Sequence, residues 1–234
     1  IYGVYLGIEV IARQNELVWP VWVLSILIII LLVAESINLD NFRPFLENGI
    51  MPVIESSALF SSFRGEIFLL LMLYPYLNKK EEVYKIAIYH LLTTAALLGI
   101  ITAAIIGVFG ELIPDYMVFP VYILARYISL ARILERIQIL IVVMWVFGVI
   151  VKLAVFYHSA AIAAANTLGI RNYRLTLLPI LAGTIISSRL FYGDHLRLTH
   201  FLSHIFPYYG PVVELVIPAL VLLIAVILKK GGKN

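Results

Sequence analysis

The chain has no cysteine, which removes a disulfide framework, a thiolate metal site and a cysteine nucleophile at one stroke. Charge is scarce too. Only 13% of the residues are Asp, Glu, Lys or Arg, against about 25% in soluble domains. The net charge of +3 is too small and too scattered for a nucleic-acid partner. There is no P-loop, no G-x-S-x-G elbow and no glycine fingerprint for nucleotides. Low-complexity segments and short-period repeats are also missing. A secreted mini-protein, a disordered chain, a collagen and a nucleic-acid binder are excluded.

What is present is apolar: 62% hydrophobic residues over a length of 234, with mean hydropathy +1.01. A helical span takes roughly 20 apolar residues, so the chain has room for about six or seven. The expected class is an all-α integral membrane protein, one transmembrane domain over residues 1–234, in contact with the lipid bilayer. The sequence is apolar from Ile1 onward and has neither the basic start nor the small-residue cleavage site of a signal peptide. The stretch before Arg13 is too short to cross a bilayer. It is expected to be the back end of a span, and the chain a fragment.

Hydrophobic runs bounded by charge, Gly and Pro set the expected spans: 1–13 in part, 17–34, 50–77, 86–109, 133–168, 175–190 and 210–228. Trp19-Pro20 is read as the interfacial start of the second. A loop covers Glu111 to Pro120, with Pro114 and Asp115 in it, and 121–130 suits a helix lying at the interface. Lys79, Lys80, Lys85, Arg171, Arg174, Arg13, Lys229, Lys230 and Lys233 fall on one side, assigned to the cytoplasm. Asp40, Glu47, Glu111, Asp115 and Asp194 fall on the other, together with Arg126, Arg132 and Arg136.

Two places put charge where hydrocarbon is expected. In Ser61-Ser62-Phe63-Arg64-Gly65-Glu66, Arg64 and Glu66 stand near the middle of a span. A charge there costs ~2.5–3.5 kcal/mol for Arg even on the mildest insertion scale. Glycine beside serines lets a helix unwind, and unwound backbone survives at that depth only against protein or a wet cavity. Half-helices meeting at mid-membrane are how transporters build solute sites, so these six residues are candidates to grip a small polar, zwitterionic ligand. An Arg–Glu pair that merely locks helix packing is the alternative.

Lys152 is the second place. Gly148, Lys152, Val155, Ser159 and Ala163 share one helix face, and small residues on it allow close packing. This directs the lysine into the bundle, as a stand-in for a bound cation, as a titrating group, or as a structural counter-ion to Glu66 or Glu55. Metal chemistry finds less support. His195, His200 and His204 lack the carboxylate of an H-E-x-x-H pattern and are expected to be solvated loop residues. Glu81-Glu82 ahead of His90 lies in a basic loop at the membrane edge. His90 and His158 are expected to be satisfied within the bundle. No metal, cofactor or catalytic residue is assigned.

Several segments in succession resemble the endospore germination permeases, the B subunits of germinant receptors within the amino acid–polyamine–organocation transporter superfamily. They are Gly7-Ile8-Glu9-Val10-Ile11-Ala12-Arg13, Asn38-Leu39-Asp40-Asn41-Phe42-Arg43-Pro44, Gly65-Glu66, Tyr74-Pro75-Tyr76-Leu77-Asn78-Lys79, Phe119-Pro120, Leu124-Ala125-Arg126, Leu134-Glu135-Arg136, Gly148 to Lys152 and Asn172-Tyr173-Arg174. No one of them is a signature, and the likeness is weakest after about Leu190. It implies an amino-acid-permease-type bundle of ten spans in two inverted repeats. This chain would supply the second repeat and the end of the first, lacking the first three to four spans. The broken span becomes the sixth, which forms the ligand site with the first, third and eighth.

The resemblance further implies a receptor in the spore inner membrane that senses a germinant, an amino acid or similar nutrient. Its companions would be a membrane subunit with large soluble domains and a lipoprotein. Family members tend to have an apolar residue or proline where Arg64 stands, so a cation there shifts the expected ligand toward an acidic germinant. In this fold a sodium ion binds between the first and eighth spans, a role Lys152 is expected to fill. A gradient-driven amino acid transporter is the second expectation. An intramembrane enzyme is a distant third, since no acid–base or metal constellation is found.

Overall fold

The structure is a computed structural model that describes residues 1–110, 117–130, 137–191 and 193–228. It is helical, with no strand among the described residues. Five helices are long and apolar enough to cross a membrane: Ile8–Ser36, Lys80–Phe109, Ile141–Leu168, Arg174–Phe191 and Leu196–Ile227. This is the all-α membrane architecture the composition demands, because helices satisfy their own backbone groups where no water can.

The α-helical pieces are α1 (Tyr2–Leu6), α2 (Ile8–Val33), α3 (Met51–Ser61), α4 (Leu70–Leu73), α5 (Val83–Phe109), α6 (Pro120–Leu130), α7 (Ile137–Leu168), α8 (Arg174–Phe191), α9 (His195–His200), α10 (Phe206–Pro211) and α11 (Ile217–Ile227). They form two compact units, Ile1–Phe45 with Ile88–Leu177 and Leu46–Ala87 with Leu178–Asn234.

In the first unit α2, α5, α6 and α7 share one core. Ile26, Ile29 and Val33 cluster with Ile101, Ala104 and Ile105, with Leu124, Ala125 and Ile128, and with Ile141. The three- and four-residue spacing on each helix marks a single buried stripe. Helix α6 buries Leu124, Ala125 and Ile128 while Arg126 and Tyr127 stay exposed. Where α5 ends, its last carbonyls have no helical donor. The Asn38–Arg43 segment provides them. Asn38 N–H donates to Gly107 O at 2.9 Å, and Asn41 Nδ2 donates to the same oxygen at 2.8 Å. A Cβ on Gly107 would stand 2.8 Å from Ile37 Cγ2, so only glycine lets the segment come this close.

At the other end of the unit, Tyr173 Oη donates to Val4 O at 3.1 Å and Thr176 Oγ1 to Ala161 O at 3.0 Å. The Arg174 guanidinium lies 4.6 Å from the Tyr5 ring centre.

Some boundaries differ from expectation. The first long helix starts at Ile8, not Leu17, because the break falls at Gly7, whose φ is +111°. The helix runs through residues 14–16, the expected gap between the spans 1–13 and 17–34, and Glu9 and Arg13 pair along it at 2.8 Å. Pro20 lies inside α2 and not at its start. The 50–77 run is interrupted, as expected, at Ser61–Glu66, whereas the last helical run begins near 196, well before 210. His200 and His204 therefore ride on a helix, their rings stacked 4.7 Å apart, and are not loop residues. His90 is exposed, whereas His158 is buried with its ring edge-on to Tyr173 at 5.3 Å. The expected loop at Glu111, Pro114 and Asp115, the residues Arg132, Leu134, Glu135 and Arg136, the tail lysines Lys229, Lys230 and Lys233, and the His195 side chain lie outside what is described.

Asn41→Ala should remove one of the two donors on Gly107 O and cost about 1 kcal/mol, seen as a lower thermal midpoint in detergent. Gly107→Leu should cost more, since the whole Ile37–Phe42 segment must back away.

Candidate functional site

Helix α3 starts behind Gly49 and Ile50, with Ile50 O accepting from Val53 and Ile54 N–H at 3.1 Å each. It stops at Ser61. Arg64 N–H closes on Ser61 O at 2.9 Å, a tight three-residue turn in place of the four-residue helical one. A 3-10 stretch, Gly65–Leu69, follows, then the single turn α4 and a second 3-10 stretch, Tyr74–Tyr76, around Pro75. The run is thus interrupted inside Ser61–Glu66, where serines and a glycine replace apolar helix formers.

The side chains around the break are unequal in burial. Ser62 is 1% exposed. Phe63, Arg64, Gly65 and Glu66 are half-buried, and Ser61 is exposed. Among the described residues Arg64 forms no ion pair. The Arg64–Glu66 structural pair is accordingly not made within this segment.

What braces the break is the last helical run, in the same unit. It has three prolines, Pro207, Pro211 and Pro218. Each lacks an N–H, so each deprives the carbonyl four residues back of its helical donor; those carbonyls belong to Ser203, Pro207 and Glu214. The helix responds with two π stretches, Phe201–Ile205 and Val212–Val216, in which Phe206 N–H bonds Phe201 O and Ile217 N–H bonds Val212 O. The Pro207 carbonyl, left without a donor from Pro211, receives the Ser62 hydroxyl at 3.2 Å.

Packing follows from that bond. The Phe63 and Phe206 rings lie 4.9 Å apart. A Cβ on Gly210 would sit 3.3 Å from Ser62 Cβ. A Cβ on Gly65 would overlap the Glu214 carboxylate, whose Cδ is 2.6 Å from that position. Gly65 does not have the positive φ that favours glycine; it is needed for room. Phe206, Gly210 and Glu214 recur at four-residue intervals, so one face of the last span meets Ser62, Phe63 and Gly65. An open cavity of about 570 Å³, lined by Phe191, Leu196, Arg197, His200, Phe201 and Ile205, includes none of the expected site residues.

The structure therefore keeps Ser61, Ser62, Phe63, Arg64, Gly65 and Glu66 together in the second unit. Gly148 and Lys152 are on α7 in the first. Gly148 is half-buried and Lys152 exposed, its Nζ 5.8 Å from the Phe156 ring centre. The stripe that α7 buries runs through Met144, Ala154, His158, Ala161 and Ala165. Of the face expected to point inward, only Ser159 is buried; Val155 is half-buried and Ala163 exposed. Pro207, Gly210 and Glu214 were not expected at the site. Their signal is the density of prolines around one carboxylate in an otherwise apolar run. Among the described residues no group of three or more His, Asp or Glu could hold a metal ion.

A family profile described as spore germination protein, the spore permeases, matches residues 1–194. Spore germination protein KB of Bacillus subtilis (strain 168) is 25% identical over 193 residues, 80% of this chain and 52% of that protein. Spore germination protein XB of Bacillus anthracis is 23% identical over 210 residues, 88% of this chain and 57% of that protein. Spore germination protein YndE of Bacillus subtilis (strain 168) is 25% identical over 172 residues, 71% and 46%. The chain spans about half the length of the curated relatives it matches. No solved structure matches it.

The chain's lack of cysteine offers a direct check of the site's packing. Ser62→Cys with Gly210→Cys places two Cβ atoms close to the roughly 3.8 Å mean of disulfides. The double variant should cross-link under mild oxidation, read as a gel shift that reductant reverses and that neither single variant gives.

Proposed function

The chain belongs to the spore germination protein family, and we propose that it is part of a permease-like receptor subunit that senses a small nutrient germinant at the interrupted span Ser61–Glu66. The observation that carries this is the break itself. An apolar run opens at Ser62–Arg64, holds Arg64 and Glu66 half-buried, and is braced by a proline-loosened helix. Charged residues in a span mark solute paths or sites, and loosened backbone at that depth needs a polar neighbour. A small amino acid supplies one when bound. The subunit works in the spore inner membrane beside a membrane subunit with large soluble domains and a lipoprotein, and it performs no chemistry on its ligand.

Lys152 enters the same proposal in the place of a coupling cation, as the one basic residue inside the long α7 run. Its ammonium does the work of a sodium ion, so ligand binding is independent of Na⁺.

Two measurements test the proposal on the full-length receptor. Gly65→Leu should abolish the germination response to amino acids while the protein still inserts, because its side chain claims the space of the Glu214 carboxylate. A normal response in an inserted variant would remove the site from the break. Amino acid binding should persist when Na⁺ is replaced by choline; loss of binding would exclude the role given to Lys152. Gradient-driven uptake of labelled amino acid into vesicles would turn the assignment from sensor to transporter.

A further inference from the structure

The geometry points to a second site: the open cavity where α8 meets the last span binds an anionic phospholipid. Arg197 and His200 hold its phosphate, and an acyl chain lies along Phe201 and Ile205. This site stands apart from the interrupted span and does not rest on the sensing role given to it. Three observations carry it, all within the second unit.

The first is place. Helix α8 ends at Phe191 and α9 begins at His195, and both belong to runs long and apolar enough to cross a membrane. The connection between them therefore falls at a membrane face. The cavity of about 570 Å³ beside it, walled by Phe191 and by the start of the last span, opens at the depth of lipid headgroups. The second is the order of side chains along it. Arg197, Phe201 and Ile205 recur every four residues, as do Leu196 and His200, so the lining forms two adjacent rows on one helix face. Arg197 and His200 stand near the membrane face, and Phe201 and Ile205 follow toward the hydrocarbon. From Arg197 to Ile205 the helix rises roughly 12 Å. A cavity that is basic at its water end and apolar at its lipid end matches an amphiphile. A free anion would leave the apolar end unused.

The third is charge. Between Arg189 and Ile205 the sequence has one acid, Asp194, and it is committed to the backbone. Its Oδ1 accepts from Leu196 N–H at 2.9 Å and caps α9. Arg197 and His200 thus face the cavity with no acid among its lining residues. The His200 ring is held by stacking on His204, 4.7 Å away and nearly parallel. His204 is tied down in turn. Ser203 Oγ gives its one proton to Thr199 O at 2.7 Å, so in the 2.9 Å contact between Ser203 Oγ and His204 Nδ1 the ring is the donor. A phosphodiester takes a two-pronged contact from guanidinium and a further bond from an imidazole N–H. Basic pockets between spans are where membrane proteins hold anionic headgroups.

The test uses the full-length protein in phosphatidylcholine vesicles, with F191W as a fluorophore at the cavity wall and the parent protein as baseline. Brominated phosphatidylglycerol and brominated phosphatidylcholine are compared as quenchers at equal mole fraction. Phosphatidylglycerol is expected to quench the added tryptophan with about fivefold higher affinity. R197Q and H200Q, each combined with F191W, should reduce that preference, and the two together should abolish it. Should any of these variants fail to accumulate, L190W, R197K and H200N take their places and are read by the same ratio. Equal quenching by the two lipids, or a ratio unchanged by the substitutions, overturns the site. Quenching by neither lipid also overturns it, because another segment of the full-length chain then fills the cavity. A preference erased by added inorganic phosphate overturns the lipid assignment in favour of a soluble anion.

Discussion

A carbonyl oxygen that has lost its donor inside hydrocarbon must find another, and the candidate site is built around one such oxygen. Pro211 has no N–H to offer Pro207 O, and the Ser62 hydroxyl takes its place. That bond ties the end of α3 to the loosened last helix. Gly210 and Gly65 then permit the two backbones to approach until side chains interlock, with Phe63 on Phe206 and Glu214 over Gly65. Remove the proline and the carbonyl closes on its own helix; the serine hydroxyl, nearly fully buried, would be the next group to lack a partner.

The same rule shapes the first unit. At the end of α5, Gly107 O takes donors from Asn38 and Asn41. Elsewhere in the unit side chains add bonds to carbonyls that are not orphaned: Thr176 reaches Ala161 O, well inside α7, and Tyr173 reaches Val4 O, which Gly7 N–H also meets. Two of the segments that carry the family likeness, Asn38 to Pro44 and Asn172 to Arg174, thus supply side-chain and backbone donors to carbonyls of neighbouring helices. Each such bond contributes only about 1 kcal/mol net, but leaving the acceptor empty costs as much or more.

The sequence carries the helices plainly, since long apolar runs with few charges admit little else in a membrane. The break was also readable, because Ser61-Ser62 and Arg64-Gly65-Glu66 interrupt such a run with residues that weaken helices or resist burial. What the break rests against was not. Ser62 and Pro207 are 145 positions apart, and Pro207 to Glu214 lie beyond the residues the family profile matches. Prolines and histidines after Asp194 read as a loop when taken one at a time; only as a π-turned helix do they make sense together. At the other end, Arg13 closed the expected partial span 1–13, yet a pair four residues apart such as Glu9 and Arg13 is as much at home along a helix. For α7 the period was right and the phase was not: the buried stripe centres on Ala154, His158 and Ala161, to one side of Lys152.

The π stretches Phe201–Ile205 and Val212–Val216 also bear on how this span is compared with its kin. Each wider turn accommodates one surplus residue, which rotates everything downstream by about 100°, so two of them displace the α11 stripe by about 200° relative to that of α9. A lipid-facing flank assigned from the first third of the span would consequently point the opposite way in the last. A paralogue without one of the prolines, and so without one wide turn, would align correctly only with a single-position gap at that bend.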